Sequence, residues 1–172
     1  MMWYNEYMKK ICLVCCAVMM TFFQVGMVGA VAKNQELAIS DHCEEIRDAL
    51  KKVQKNDARV RVFLGGRYET ILTKFVVPLN MRLVENNLSD GDLVENQNEF
   101  ADAKTVFASD YIGYQQALEE LVGMDCKKEP GKFYEQLVMV RQKRKTIRQS
   151  VMRIRSLIST HLKLVDQLKG KI

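Results

Sequence analysis

Few side chains in this 172-residue chain could do chemistry, and the cysteines say the most. Cys12, Cys15 and Cys16 lie inside a run, 11–32, that carries no charged residue. Cys43 and Cys126 lie outside it. An isolated pair of thiols in an oxidising compartment points to a disulfide. Free thiols and a metal site are the alternatives. A tetrahedral zinc site needs four ligands. His42 beside Cys43 supplies a third, and nothing nearby supplies a fourth, so no metal and no cofactor is expected.

The remaining reactive groups are sparse. His42 and His161 are the only histidines. Asp90, Asp92 and Glu95 could hold calcium loosely, but one glycine and two or three carboxylates fall short of an EF-hand loop. A capped helix start explains them better. The chain contains no nucleophile elbow, phosphate loop or zinc-binding helix motif, and Gly65-Gly66-Arg67 lacks the strand-loop-helix setting of a phosphate cradle. The chain is therefore expected not to be an enzyme.

Charge is the strongest signal outside the core. Between 141 and 155 the chain carries Arg141, Lys143, Arg144, Lys145, Arg148, Arg153 and Arg155 and no acid. Such a belt could meet an anionic membrane, a wall polymer, a nucleic acid or an acidic protein face. Nucleic acid is the weaker choice, because no groove-reading element accompanies the charge. The plain alternative is a solvated helix face.

Helices must position these groups. Phe133, Leu137, Val140, Arg144, Ile147, Val151, Ile154, Ile158, His161, Val165 and Leu168 alternate four and three apart, the repeat of a coiled-coil seam. Arg144 and His161 are its polar exceptions. Leu93, Phe100, Phe107, Tyr114 and Leu121 recur every seven residues in a second helix, with Asp110 as the exception. The aromatic stripe Phe100, Phe107, Tyr111, Tyr114 reads as core, with a ligand groove as the alternative. In a first helix Ile46, Leu50, Val53, Val60 and Leu64 form a stripe interrupted by Asp57. Gly65-Gly66 should loosen it, and Pro78 should kink it. Residues 59–64 could also read as a strand, but no second strand exists to pair with it.

These patterns predict an all-α protein, an elongated antiparallel three-helix bundle or coiled coil behind an N-terminal signal or anchor helix. The expected helices run about 41–87, 93–125 and 131–169, within one domain at 41–172 and after a linker at 33–40. On the antiparallel hairpin of the last two helices the basic belt faces 103–117, which offers only Asp110 as an acid.

The leader sets the compartment. Lys9 and Lys10 precede the uncharged run, which ends on Ala30-Val31-Ala32. A basic start, an apolar stretch and a small-x-small end are what signal peptidase reads. Residues 1–32 are expected to be a signal peptide cleaved after Ala32, with Ala30 as the other small residue of the site. A retained anchor is the alternative, since about 20 apolar residues span a bilayer. Translation could start at Met1 or Met8. Losing Lys9, Lys10 and Glu6 leaves 24 basic against 20 acidic residues, a net charge of about +4.

Four segments carry a family likeness: Asp41-His42-Cys43-Glu44-Glu45-Ile46-Arg47; Arg67-Tyr68-Glu69-Thr70-Ile71-Leu72; Asp92-Leu93-Val94-Glu95-Asn96-Gln97; and Asp110-Tyr111 with Gln115-Gln116-Ala117-Leu118, ending at Cys126. Together they resemble uncharacterised secreted helical-hairpin, coiled-coil-like proteins of small-genome bacteria, over nearly all of the chain beyond the leader. The resemblance implies export, helices and paired cysteines, and no activity.

The functional expectation is a non-enzymatic, exported cell-envelope or secreted protein that acts as a helical interaction or spacer module. The alternative is a basic surface protein. Its partners would be an envelope protein, an anionic surface, or a second copy docked through the helical seam.

Overall fold

The computed structural model of the protein describes residues 33–88 and 90–170. Every element among them is helical: α1 (33–41), α2 (Cys43–Ile71), a π-helical turn (Leu72–Val76), α3 (Val77–Glu85), α4 (Gly91–Gly123) and α5 (Pro130–Lys169). The expected leader and the expected cleavage residues Ala30 and Ala32 lie outside the described residues. Among the described residues, no helix is long and apolar enough to cross a membrane.

One expectation fails near the start. Residues 33–40 are not a linker but helix, with Ile39 buried and the turn delayed to His42, whose N–H donates to Ala38 O at 3.1 Å. Lys33, Gln35, Glu36, Leu37 and Ala38 are good helix formers, so the helix begins well before the capping signal at Asp41 and Glu44. The contacts group the chain into two compact units. Among the described residues, the first holds 33–43 together with Asp125–Tyr134, and the second holds 44–124 and 135–170.

In the first unit the expected disulfide is present. Cys43 and Cys126 are bonded with their Cα atoms 5.6 Å apart. Both are buried, as are Ile39 and Phe133, which gives this unit an apolar centre of its own. The loop into α5 is held by Asp125, whose Oδ1 accepts from Lys127 N and Lys128 N at 3.1 and 3.2 Å. Those amide bonds, that of Lys128 foremost, favour the charged carboxylate and lower its pKa.

In the second unit, residues expected to form one helix, 41–87, are divided. α2 runs unbroken through 59–64 and through Gly65-Gly66. Each glycine costs a helix about 1 kcal/mol, less than the buried stripe that continues through Tyr68 and Leu72 returns. The proline acts differently from a simple kink. Pro78 has no N–H, and its ring crowds the carbonyl four residues back. The helix widens just before it: Val77 N–H donates to Leu72 O, five residues back, which defines the π turn. α3 then ends at Glu85, two residues before the expected 87, in the turn Asn86-Asn87. Asn87 is left-handed (φ 57), its N–H donates to Val84 O, and Leu88 N–H donates to Leu83 O. That pair of bonds is a Schellman motif, with asparagine in the place glycine usually holds. α4 starts where expected, on Asp90, whose side chain accepts from Asp92 N at 3.0 Å.

Cross-helix contacts fix the register. Rising numbers in α2–α3 meet falling numbers in α4: Arg47 with Met124, Asp57 with Tyr114, Tyr68 with Phe107, and Asn80 with Leu93 and Gln97. α4 and α5 also meet in opposite senses: Asn96 with His161, Asp110 with Ser150, and Ala117 with Gln136. The shared core is the α4 stripe. Phe100 and Leu121 are fully buried, and Tyr68, Phe107, Tyr111 and Tyr114 stack ring on ring with centroids 5.5, 6.1 and 5.8 Å apart.

Candidate functional site

The polar residues that interrupt the apolar stripes are not defects; each has a partner in the second unit. Asp57 accepts from the Tyr114 hydroxyl at 2.6 Å and from Arg144 Nη2 at 3.0 Å. Ser150 donates to Asp110 at 2.5 Å. His161 Nδ1 meets Asn96 Oδ1 at 3.2 Å, while Asn96 Nδ2 donates to Leu157 O at 3.3 Å. A buried polar group without a partner costs about 1–3 kcal/mol, so such pairs make these residues tolerable at seam positions. The α5 seam residues Val140, Ile147, Ile154 and His161 are buried within the chain itself. They are not free to dock a second copy.

Burial sets the ionisation of the groups involved. It pushes the Tyr114 phenol up, helped by the hydrogen bond to Asp57, whose negative charge opposes a second one. Tyr111 is pushed up to about 12, by burial first and by Asp57 second. Both phenols stay protonated at neutral pH. Tyr111 also carries the Arg61 guanidinium over its ring at 5.7 Å, a cation–π contact. Its hydroxyl is buried and makes no hydrogen bond. Burial lowers the His161 pKa, so its imidazole is neutral.

Beside this network lies a groove of about 470 Å³. Asp57, Val60 and Leu64 of α2 form one wall, and Arg141, Arg144, Lys145, Ile147, Arg148 and Val151 of α5 form the other. Phe107, Tyr111 and Tyr114 of α4 also line it. Phe107, Tyr111 and Tyr114 of the aromatic stripe are thus both core and groove lining, while Phe100 is core alone.

The structure brings together four of the seven basic residues singled out in the sequence. Arg141, Arg144, Lys145 and Arg148 are spaced three and four apart and share one face of α5. Lys143, Arg153 and Arg155 do not line the groove. Lys143 Nζ lies 3.6 Å from where a Cβ on Gly113 would be, and Arg155 lies near enough to Tyr68 to act on its phenol. The acid that meets the belt is Asp57, not Asp110, because the hairpin of α4 and α5 ignores what α2 brings alongside. Arg144 is spent on Asp57. Among the described residues, Arg141, Lys145 and Arg148 have no carboxylate in ion-pair range.

Sequence reasoning missed Asp57, Val60 and Leu64 as groove residues and Asn96 as the partner of His161. Asp57 carried a signal: an acid interrupting one stripe while an arginine interrupts another is what a cross-helix pair leaves behind. No protein-family model, curated protein or solved structure matches this chain, so the likeness to secreted helical-hairpin proteins rests on residue pattern alone.

Proposed function

We propose that this chain is a non-enzymatic, exported cell-envelope or secreted interaction protein, an antiparallel three-helix bundle whose contact surface is the basic face of α5. The observation that carries the reading is the charge left over after internal pairing. Arg141, Lys145 and Arg148 stand on one exposed stripe with no acid beside them. Cations that stabilise nothing inside the fold are available to an anionic partner outside it. Export supports the same reading, because a leader would carry that stripe to anionic lipid and wall surfaces.

The test is sedimentation with phosphatidylglycerol vesicles at low and high salt. The protein should bind at low salt and be released at high salt, since exposed charges are screened beyond about 10 Å at 0.1 M. Lys145→Glu with Arg148→Glu should abolish binding. Binding that ignores both salt and charge reversal would make the stripe a solvated face only. A second reading, docking to an envelope protein, is favoured by Val62 and Phe63, which are 75% and 65% exposed side by side on α2. Crosslinking in intact cells from cysteines placed at those two positions tests it.

A further inference from the structure

The groove beside the basic face is built in two halves. α2 and α5 run in the same direction, since each runs opposite to α4, and Asp57 meets Arg144. Residue numbers along both walls therefore rise together. The low-numbered end holds Arg141, Arg144, Lys145 and Tyr114; Val60, Ile147 and Arg148 lie midway; the high-numbered end holds Leu64, Phe107 and Val151. Over the ten residues from Arg141 to Val151, about 15 Å, the lining passes from mostly charged to apolar. A uniformly charged polymer would leave the apolar end unused.

From this placement we infer that the groove binds a single-chain anionic amphiphile, its headgroup held by Arg141, Lys145 and Arg148 and its hydrocarbon chain lying along Val60, Leu64 and Val151. The inference rests on the basic-face reading above and names its ligand class. Two further features fit. Tyr111 is 4% exposed, lines the groove and has a hydroxyl without a partner. Charges on Asp57, Arg61 and Arg144 act on it, which puts it near the charged end of the groove. Asp57, the one acid in the groove, is already neutralised by Arg144 and so does not repel that headgroup.

Titration calorimetry with dodecyl phosphate below its micelle concentration tests the inference on the purified protein as its own cell processes it. Inorganic phosphate, dodecyltrimethylammonium and an acidic peptide are the comparison probes. Saturable one-to-one binding of dodecyl phosphate is expected, at least tenfold tighter than phosphate, the cation or the peptide. Lys145→Glu with Arg148→Glu should weaken it tenfold or more. So should Val60→Trp, at a position 49% exposed, which narrows the way to the apolar end and leaves every charge in place. Equal binding of phosphate and dodecyl phosphate, or an unaffected Val60→Trp variant, overturns the groove site. Equal binding of the cationic amphiphile, or tighter binding of the acidic peptide, overturns it too. If vesicles are bound while dodecyl phosphate is not, the groove inference alone falls; if neither is bound, the basic-face reading falls with it.

Discussion

Asp57 and Arg144 interrupt two different apolar stripes and are joined to each other, Oδ1 to Nη2, at 3.0 Å. The same carboxylate accepts from the Tyr114 hydroxyl at 2.6 Å. The two bonds are unequal in weight. The Arg144 side chain is 58% exposed, that of Asp57 only 16%, and Tyr114 is almost fully buried. Replacing Asp57 with alanine strands a buried hydroxyl and should cost about 1–3 kcal/mol. Replacing Arg144 with alanine removes a mostly exposed ion pair and should cost at most about 1 kcal/mol. Urea unfolding of the two variants checks the order; equal losses would place the weight on the ion pair instead.

The direction in which α2 and α4 face can be tested by truncation. Phe100 is fully buried, whereas Phe63 is 65% exposed. Phe100→Ala should cost about 3–5 kcal/mol through lost contacts and a cavity. Phe63→Ala should stay within about 0.5 kcal/mol of the parent. A reversed order of thermal midpoints would turn both helices inside out.

His161 gives the fold a pH dependence. Burial alone lowers its pKa in the folded chain, so the unfolded chain binds that proton more readily. Stability from this group is whole above the ordinary histidine value of about 6.5, falls as pH drops from there through the lowered folded value, and levels off below it. Comparing urea midpoints at about pH 7.5 and about pH 5 isolates the effect. The parent should lose more stability on acidification than a His161→Gln variant. Parallel losses would mean that the imidazole is protonated without penalty.

The disulfide joins residues 83 positions apart. Closing a loop of that length restricts the unfolded chain and is worth about 4–5 kcal/mol on the chain-entropy argument. Cys43→Ser with Cys126→Ser should lower the thermal midpoint markedly, and adding reductant to the parent should do the same. A double variant that melts with the oxidised parent would show that the bond holds nothing the helices do not already hold.

The long helices were legible because seam periodicity is a property of many residues at once. Pro130 and Gly170 bracket α5, and Asp90 caps α4, because start and stop signals act locally. Three features were hidden, each for a physical reason. The π turn at Leu72–Val76 answers a steric demand of Pro78 that can be met by a kink or by a wider turn, and spacing alone does not choose. The helix at 33–41 carries Ile39 into a buried position, a tertiary gain that the capping signal at Asp41 does not reveal. The division into two units depends on where contacts cluster, which periodicity along one continuous helix does not reveal. At the candidate site, the basic stripe was readable from α5 alone. Its groove was not, because the second wall comes from α2, dozens of residues away in the chain.

Behind each of these proposals stands the claim that the chain works where thiols are oxidised. Mass spectrometry of protein isolated from its own cells, with free thiols alkylated at the moment of lysis, reads this directly. The account predicts one peptide pair linked through Cys43 and Cys126 and no alkylated form of either. Both cysteines recovered alkylated in native material would contradict it.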